Sequence, residues 1–341
     1  MLNSKNIIVL PLSLLMLIMI LSGTVMAKGK VTFVVEAGNA IKTTAFKMTQ
    51  IMQQKGYEVD VITTAGGNQA VQFVLGEQAD VAVNDTDEVL LARAQGANLK
   101  VFMANATKVD YTLLASDPEI KEAKDLIGKV VGMSGPAGFD ALMGRVYLQK
   151  SGLDPEGPKW TVIGGSPARM KALQAGRVDA AVVFISHYLQ LKAKGARVHK
   201  VVHMADVVPD VLKGVYYART EWLEENPKIV KDIIRSQLVA AKWFNNDKAG
   251  WIKLAMEIAP GSEGKALDQL YEELKAVNMF PIDGGLDARG ANKMVELLVQ
   301  TGDLKEEIPL DQWMTFKIYN EVMKELGYYK LLKVSSGTSL T

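Results

Sequence analysis

Gly128-Lys129-Val130-Val131-Gly132-Met133-Ser134-Gly135-Pro136-Ala137-Gly138 restates what Gly29-Lys30-Val31, an apolar run and Gly38 set out earlier in the chain. The correspondence continues outward in one order. Gly66-Gly67-Asn68, a run of helical character, Gly76, Asp80 and Val81-Ala82-Val83 are matched by Gly164-Gly165-Ser166, a second such run, Gly176, Asp179 and Ala180-Ala181-Val182-Val183. Gly96-Ala97 is matched by Gly195-Ala196. Gly, Ala, Val and Lys are common residues, so one match would carry little weight; several landmarks in one order at a nearly constant offset carry more. An apolar strand, a glycine turn and a helix, written twice, describe two similar α/β units side by side, with a cleft between them.

The first unit reads as strands at 31–35, 58–62, 80–83 and 100–104, with helices near 43–54, 69–75 and 88–94. This alternation predicts a mostly parallel sheet flanked by helices. A further strand at 111–115 ends at Ser116-Asp117-Pro118, where the first unit is expected to stop. The second unit reads as strands near 130–133, 159–163, 180–183 and 198–202, with helices at 140–150, 167–174 and 187–194. Ser166-Pro167 is a good cap and first-turn pair. An extended segment at 215–218 returns the chain to the first unit. Beyond Thr220 the sequence predicts amphipathic helices at 227–244, 248–258, 264–277, 291–298 and 310–326, which must pack on a lobe.

The N-terminus predicts export. Lys5 precedes the apolar run 7–21, and Val25-Met26-Ala27 supplies a signal-cleavage pattern, so residues 1–27 are expected to be a signal peptide cut after Ala27. The run barely reaches the ~18 residues that an uncleaved anchor needs. With no cysteine in the chain, disulfides, thiol chemistry and an acylated N-terminal cysteine are excluded, and the expectation is a periplasmic protein without a lipid anchor. Removal of Lys5 takes the formal charge from +1 to zero, so no basic surplus points to nucleic acid or an anionic membrane.

Several stretches resemble a known family. Val130 to Pro136, Ser151-Gly152-Leu153-Asp154, Gly164 to Arg169 and Ala172 to Ala181 are similar to the substrate-binding subunits of ABC importers for nitrate, sulfonates, taurine and thiamine-pyrimidine precursors. The tail is similar as well, in Trp222 to Pro227, Ala241 to Phe244 and Phe280 to Gly285. The resemblance covers nearly all of the chain after residue 27. It implies a two-lobed type II periplasmic-binding-protein fold with two crossovers and a helical C-terminal region, closing on a small molecule like a hinged clamp. Lobe one is expected to comprise 28–115 plus 213–341, and lobe two 116–212. The implied function is a monomeric solute-binding subunit that captures a small organic anion (a sulfonate, or an aromatic or heterocyclic acid) and delivers it to an inner-membrane ABC permease, with no cofactor and no metal. The alternatives are a ligand sensor that feeds a signalling receptor and, further off, an enzyme on the same fold.

Open α/β sheets bind ligands beyond the carboxyl ends of their strands. In lobe one this nominates Gly38 and Asn39, Gly66, Gly67 and Asn68, and Asn84 and Asp85. In lobe two it nominates Ser134, Gly135, Ala137 and Gly138, with Phe139 and Phe184 as flat rings beside the loops. Tyr216 is nominated on the return segment. Ser134 to Gly138 is the sharpest candidate, because small residues before a helix let N–H groups approach an anion, although Pro136 removes one donor and such a turn can also need glycine for its backbone angles alone. Glu36 and Asp85 at strand ends would repel a simple anion, unless they point away or the ligand carries a cationic or hydrogen-donating end. Arg169, in the first turn of its helix, suits a surface or lobe-internal salt bridge better than a ligand carboxylate.

Enzyme signatures are weak. His199 and His203 are four apart but on a predicted strand, so they do not share a helical face as zinc ligands would. The Gly132–Gly135 stretch lacks the second spacer of a nucleophile elbow, and no phosphate-binding glycine loop follows a strand.

Overall fold

The computed structural model describes residues 28–328 apart from Ala37, Ala65, Gly66, Ala137 and Glu263. The expected signal peptide therefore lies outside the described residues, and among those described no helix is long and apolar enough to cross a membrane.

Two five-stranded sheets carry the fold. In the first, β1 (Lys30–Glu36), β2 (Glu58–Thr64), β3 (Val81–Asp85), β4 (Leu99–Ala106) and β10 (Gly214–Arg219) take the order β2-β1-β3-β10-β4. In the second, β5 (Tyr111–Ala115), β6 (Val130–Met133), β7 (Lys159–Val162), β8 (Ala180–Phe184) and β9 (His199–His203) take the order β7-β6-β8-β5-β9. The repeat read from the sequence is thus a repeat of topology: β1, β2, β3 and β4 occupy the places of β6, β7, β8 and β9. Strands β3 and β8 are buried along their whole length, as continuous apolar strands covered on both faces must be.

One strand in each sheet breaks the parallel order. β10 runs antiparallel between β3 and β4, with Tyr216 opposite Val83 and Met103, and β5 runs antiparallel between β8 and β9, with Leu113 opposite Val182 and Val202. This corrects the expected boundary. The strand 111–115, assigned to the first unit, lies inside the second sheet, so the chain crosses at 107–110 rather than after Ala115. Proximity in sequence to β4 misled that reading, because Leu113 and Leu114 find their backbone partners only in lobe two. The return crossing, 208–213, delivers β10 to the first sheet where it was expected.

The helices after β10 pack on both lobes. Pro227–Asn246 lays Val230, Ile233, Ile234 and Leu238 against lobe one, in contact with helix Thr43–Gln54. Helix Gly264–Ala276 instead contacts Ile185–Ala193 of lobe two, in an apolar cluster that joins Ile41, Ile185, Leu189, Leu267, Leu270 and Phe280. The single helix expected at 310–326 is two, Leu310–Trp313 and Lys317–Glu325. Between them Met314 bridges Val101 on the edge strand β4, and Thr315 N–H donates to the Val101 carbonyl at 2.8 Å, so the free edge draws the chain out of its helix.

Candidate ligand-binding cleft

The carboxyl ends of the parallel strands converge on a cleft of about 410 Å³ between the lobes. From lobe one, β1 contributes Glu36 and β3 contributes Asn84 and Asp85; helix Gly67–Leu75 adds Gln69, and Asp87 and Glu88 come from the first turn of helix Thr86–Ala94. Lobe two faces them with Tyr111, Phe184 and the loop Ser134, Gly135, Pro136 and Gly138. Phe139 and Asp140 open the next helix, and Gly165, Ser166 and Arg169 complete the wall.

The loop 134–138 is closed by its own chain. Asp140 accepts from the Ser134 backbone N–H at 2.8 Å and from the Ser134 hydroxyl, while Gly138 N–H donates to the Gly135 carbonyl at 3.0 Å. A Cβ on Gly138 would stand 2.0 Å from Ser134 Oγ, so the turn requires glycine there. Asp140 thus occupies the donors of Ser134, at the end of β6, that an incoming anion would otherwise use. Arg169 is buried and spoken for: its Nε donates to the Val182 carbonyl at 2.9 Å, its Nη1 donates to the Gly164 carbonyl, and Asp140 lies 3.6 Å away. Of the surface and lobe-internal pairings expected, this is the lobe-internal one.

Beneath the cleft the two crossovers meet. Lys213, from the return crossing, places its ammonium 2.7 Å from Asp110 on the outgoing crossing and 3.1 Å from Asp85 of lobe one. Three rings of lobe two surround the same ammonium, with centroids at 4.9 Å (Tyr111), 5.4 Å (Phe184) and 5.7 Å (Phe139). Burial alone lowers the pKa of this lysine, but Asp110 and Asp85 outweigh it and hold it well above the ordinary value. Lys42 adds a second cation, 3.7 Å from Asp85 and 3.3 Å from Asn84 Oδ1.

Burial raises Glu36 to about 7, with Asp85 and Asp110 adding to the rise against Lys42 and Lys213. Burial and the neighbouring Asp85 carry Asp87 to about 8, and burial with Asp85 and Asp87 holds Glu88 well above the carboxylate range. Among the described residues, Asp87 Oδ1 and Glu88 Oε2 have no hydrogen-bond partner.

His187 ties the lobes together. Its Nδ1 lies 2.7 Å from Ser166 Oγ in the cleft wall, and the ring donates to the backbone carbonyl of Gly38 in lobe one, which leaves Nδ1 to accept from the serine. Burial pushes its pKa down to about 4, so the ring is neutral at physiological pH.

Of the nominated residues, the cleft brings together Asn84, Asp85, Ser134, Gly135, Gly138, Phe139 and Phe184. Asn39 instead caps a short turn, its Oδ1 accepting from Ile41 N–H at 3.0 Å, and Gly38 stands behind the wall on His187. Tyr216 is fully buried inside lobe one, where its hydroxyl donates at 2.7 Å to Gln237 of helix Pro227–Asn246, so the side chain points into the helix layer rather than toward the cleft. Gly67 and Asn68 open a helix of which Gln69 is the cleft residue. Gly66 and Ala137 lie outside the described residues. The residues the sequence reading missed, Asp87, Glu88 and Asp140, sit in first helical turns, where an acid reads as an ordinary response to the helix dipole.

Two lobes joined by two crossovers, with a cleft at the strand ends, define the periplasmic-binding-protein fold. The aliphatic sulphonate binding protein SsuA of Escherichia coli superimposes with a TM-score of 0.68 at 14% identity, over 92% of this chain and 95% of its own. The nitrate-binding protein NrtA of Synechocystis PCC 6803 gives 0.72 at 12% identity, over 87% and 89%. The family model described as NMT1/THI5 like matches residues 52–248, more than half of the chain, and the protein belongs to that family. A Bacillus subtilis (strain 168) chain named as a binding protein, YtlA, is 22% identical over 278 residues, 80% of this chain and 83% of its own.

Proposed function

We propose that this protein is the solute-binding component of an ABC importer. Exported and cut after Ala27, it acts as a monomer that encloses one small molecule between its lobes, binds it without converting it, and presents the closed form to an inner-membrane permease. The observation that carries the reading is the cleft itself: strand ends from both sheets converge on about 410 Å³, within the ~300–1,000 Å³ typical of small-molecule sites, directly above the crossovers about which two lobes hinge. A small organic anion, whether a sulfonate as the name of SsuA suggests or an aromatic or heterocyclic acid, would have to lie against Arg169 and away from Glu36, Asp87 and Glu88. The test pairs recovery with transport. A ligand released by denaturing the protein should be chemically unchanged, and the loaded protein should stimulate ATP hydrolysis by its reconstituted permease complex. Recovery of a product, or no stimulation by the loaded form, would overturn the reading.

A further inference from the structure

We infer that the ligand of this cleft is a small organic cation, an alkyl- or arylammonium or an amidinium, whose charged end lies among Glu36, Asp87 and Glu88. This rests on the solute-binding reading and specifies its substrate class.

Three observations carry it. Five carboxyl groups line the cleft (Glu36, Asp85, Asp87, Glu88 and Asp140), against one guanidinium. That guanidinium already gives Nε and Nη1 to two backbone carbonyls and faces Asp140, and the Ser134 donors are also taken by Asp140, so an anion arriving there would have to compete with a carboxylate. Second, Asp87 is only 2% exposed, yet its Oδ1 and Glu88 Oε2 have no hydrogen-bond partner among the described residues. Buried acceptors without donors are costly, and a ligand N–H group supplies what is missing. Third, the same cleft floor already holds an ammonium, that of Lys213, between carboxylates and three aromatic rings. Lys42 acts on Glu36 and Glu88, and Lys213 on Glu36 and Asp87, but Asp85 shares both cations and Asp110 shares Lys213, so the carboxyls outnumber the cations that serve them. An organic rather than a metal cation fits, since among the described residues no three such side chains are placed to hold a metal ion.

A bound cation favours the ionised form of these carboxyls, so binding releases a proton and tightens as pH rises through about 7 and 8. The experiment is thermal shift followed by calorimetry on the purified protein at pH 6.0 and 8.5. The probes are benzylamine, a linear diamine, an alkylguanidine and tetramethylammonium, set against methanesulfonate, nitrate and benzoate. The expected result is stabilisation by at least one cation, at least tenfold tighter at the higher pH, and lost in Asp87→Asn and in Glu36→Gln, which keep shape and remove charge. Stabilisation by an anion and by no cation would overturn the inference and leave the solute-binding reading standing. If neither class stabilises the protein, both fall together.

Discussion

Glu36 and Asp87 illustrate how a buried cleft carboxyl weakens the protein that carries it. Both have folded-state pKa values above those of free carboxyls, so the folded state binds protons that the unfolded state has already released. Stability contributed by such a group is present at low pH and lost as pH rises from about 4 through 7 for Glu36 and 8 for Asp87. In Glu36→Gln and Asp87→Asn the empty protein should lose less stability between pH 5 and 8.5 than the wild type does, by on the order of 2 kcal/mol each, read from urea midpoints. An equal decline in all three would mean that these carboxyls are solvated. His187 works in the opposite sense: its lowered pKa means stability is lost as pH falls from about 6.5 to 4, which offsets part of the gain that Glu36 and Asp87 bring toward low pH. Lys213→Met should cost about 3–5 kcal/mol, because it strands Asp110 without a counter-ion and leaves Asp85 with Lys42 alone. Adding Asp110→Asn should restore part of that loss in the same denaturation experiment.

At the scale of the element, the loop before helix Phe139–Lys150 invites a paired test. Gly138→Ala forces Ser134 Oγ off Asp140 and should cost about 1–2 kcal/mol, whereas at Gly135 an added Cβ meets nothing within 4 Å and Gly135→Ala should be close to neutral in a thermal melt. Equal effects would show that the loop is not held by Asp140. This loop also marks how far the sequence could be read. Its position between strand and helix was legible from Val130-Val131-Gly132-Met133 running into small residues, as were strands and helices with clear periodicity. Its charge was not, because nothing in the order of residues says that Asp140 folds back onto Ser134. Tyr216 failed for a related reason: alternation says that neighbours point to opposite faces but not which face meets the cleft. The strand 111–115 was recognisable as a strand, while its partners, nearly seventy residues further on in β8, were not.

Across the whole molecule, the lobes are joined by more than two linkers. Helix Gly264–Ala276 descends from lobe one yet packs on Ile185–Ala193 of lobe two, with Gln190 Nε2 donating to Ser262 Oγ at 2.7 Å beside it. This contact holds the lobes together at the side of the cleft, and His187 does the same within it. Leu270→Ala, which removes a buried side chain from that cluster, should shift the empty protein toward an open form, seen as a larger radius of gyration by X-ray scattering and a faster ligand off-rate. An unchanged radius would confine closure to the crossovers.

The exchange of β5 and β10 between otherwise matching sheets has a consequence in time. As the chain is made, lobe two has all five strands once His203 has emerged, whereas β3 and β4 have no strand between them until Gly214 to Arg219 arrive. Lobe one must wait for lobe two. Pulsed hydrogen exchange should find amides of β6 and β8 protected before those of β3 and β4, so the later part of the polypeptide becomes the template on which the earlier part completes itself.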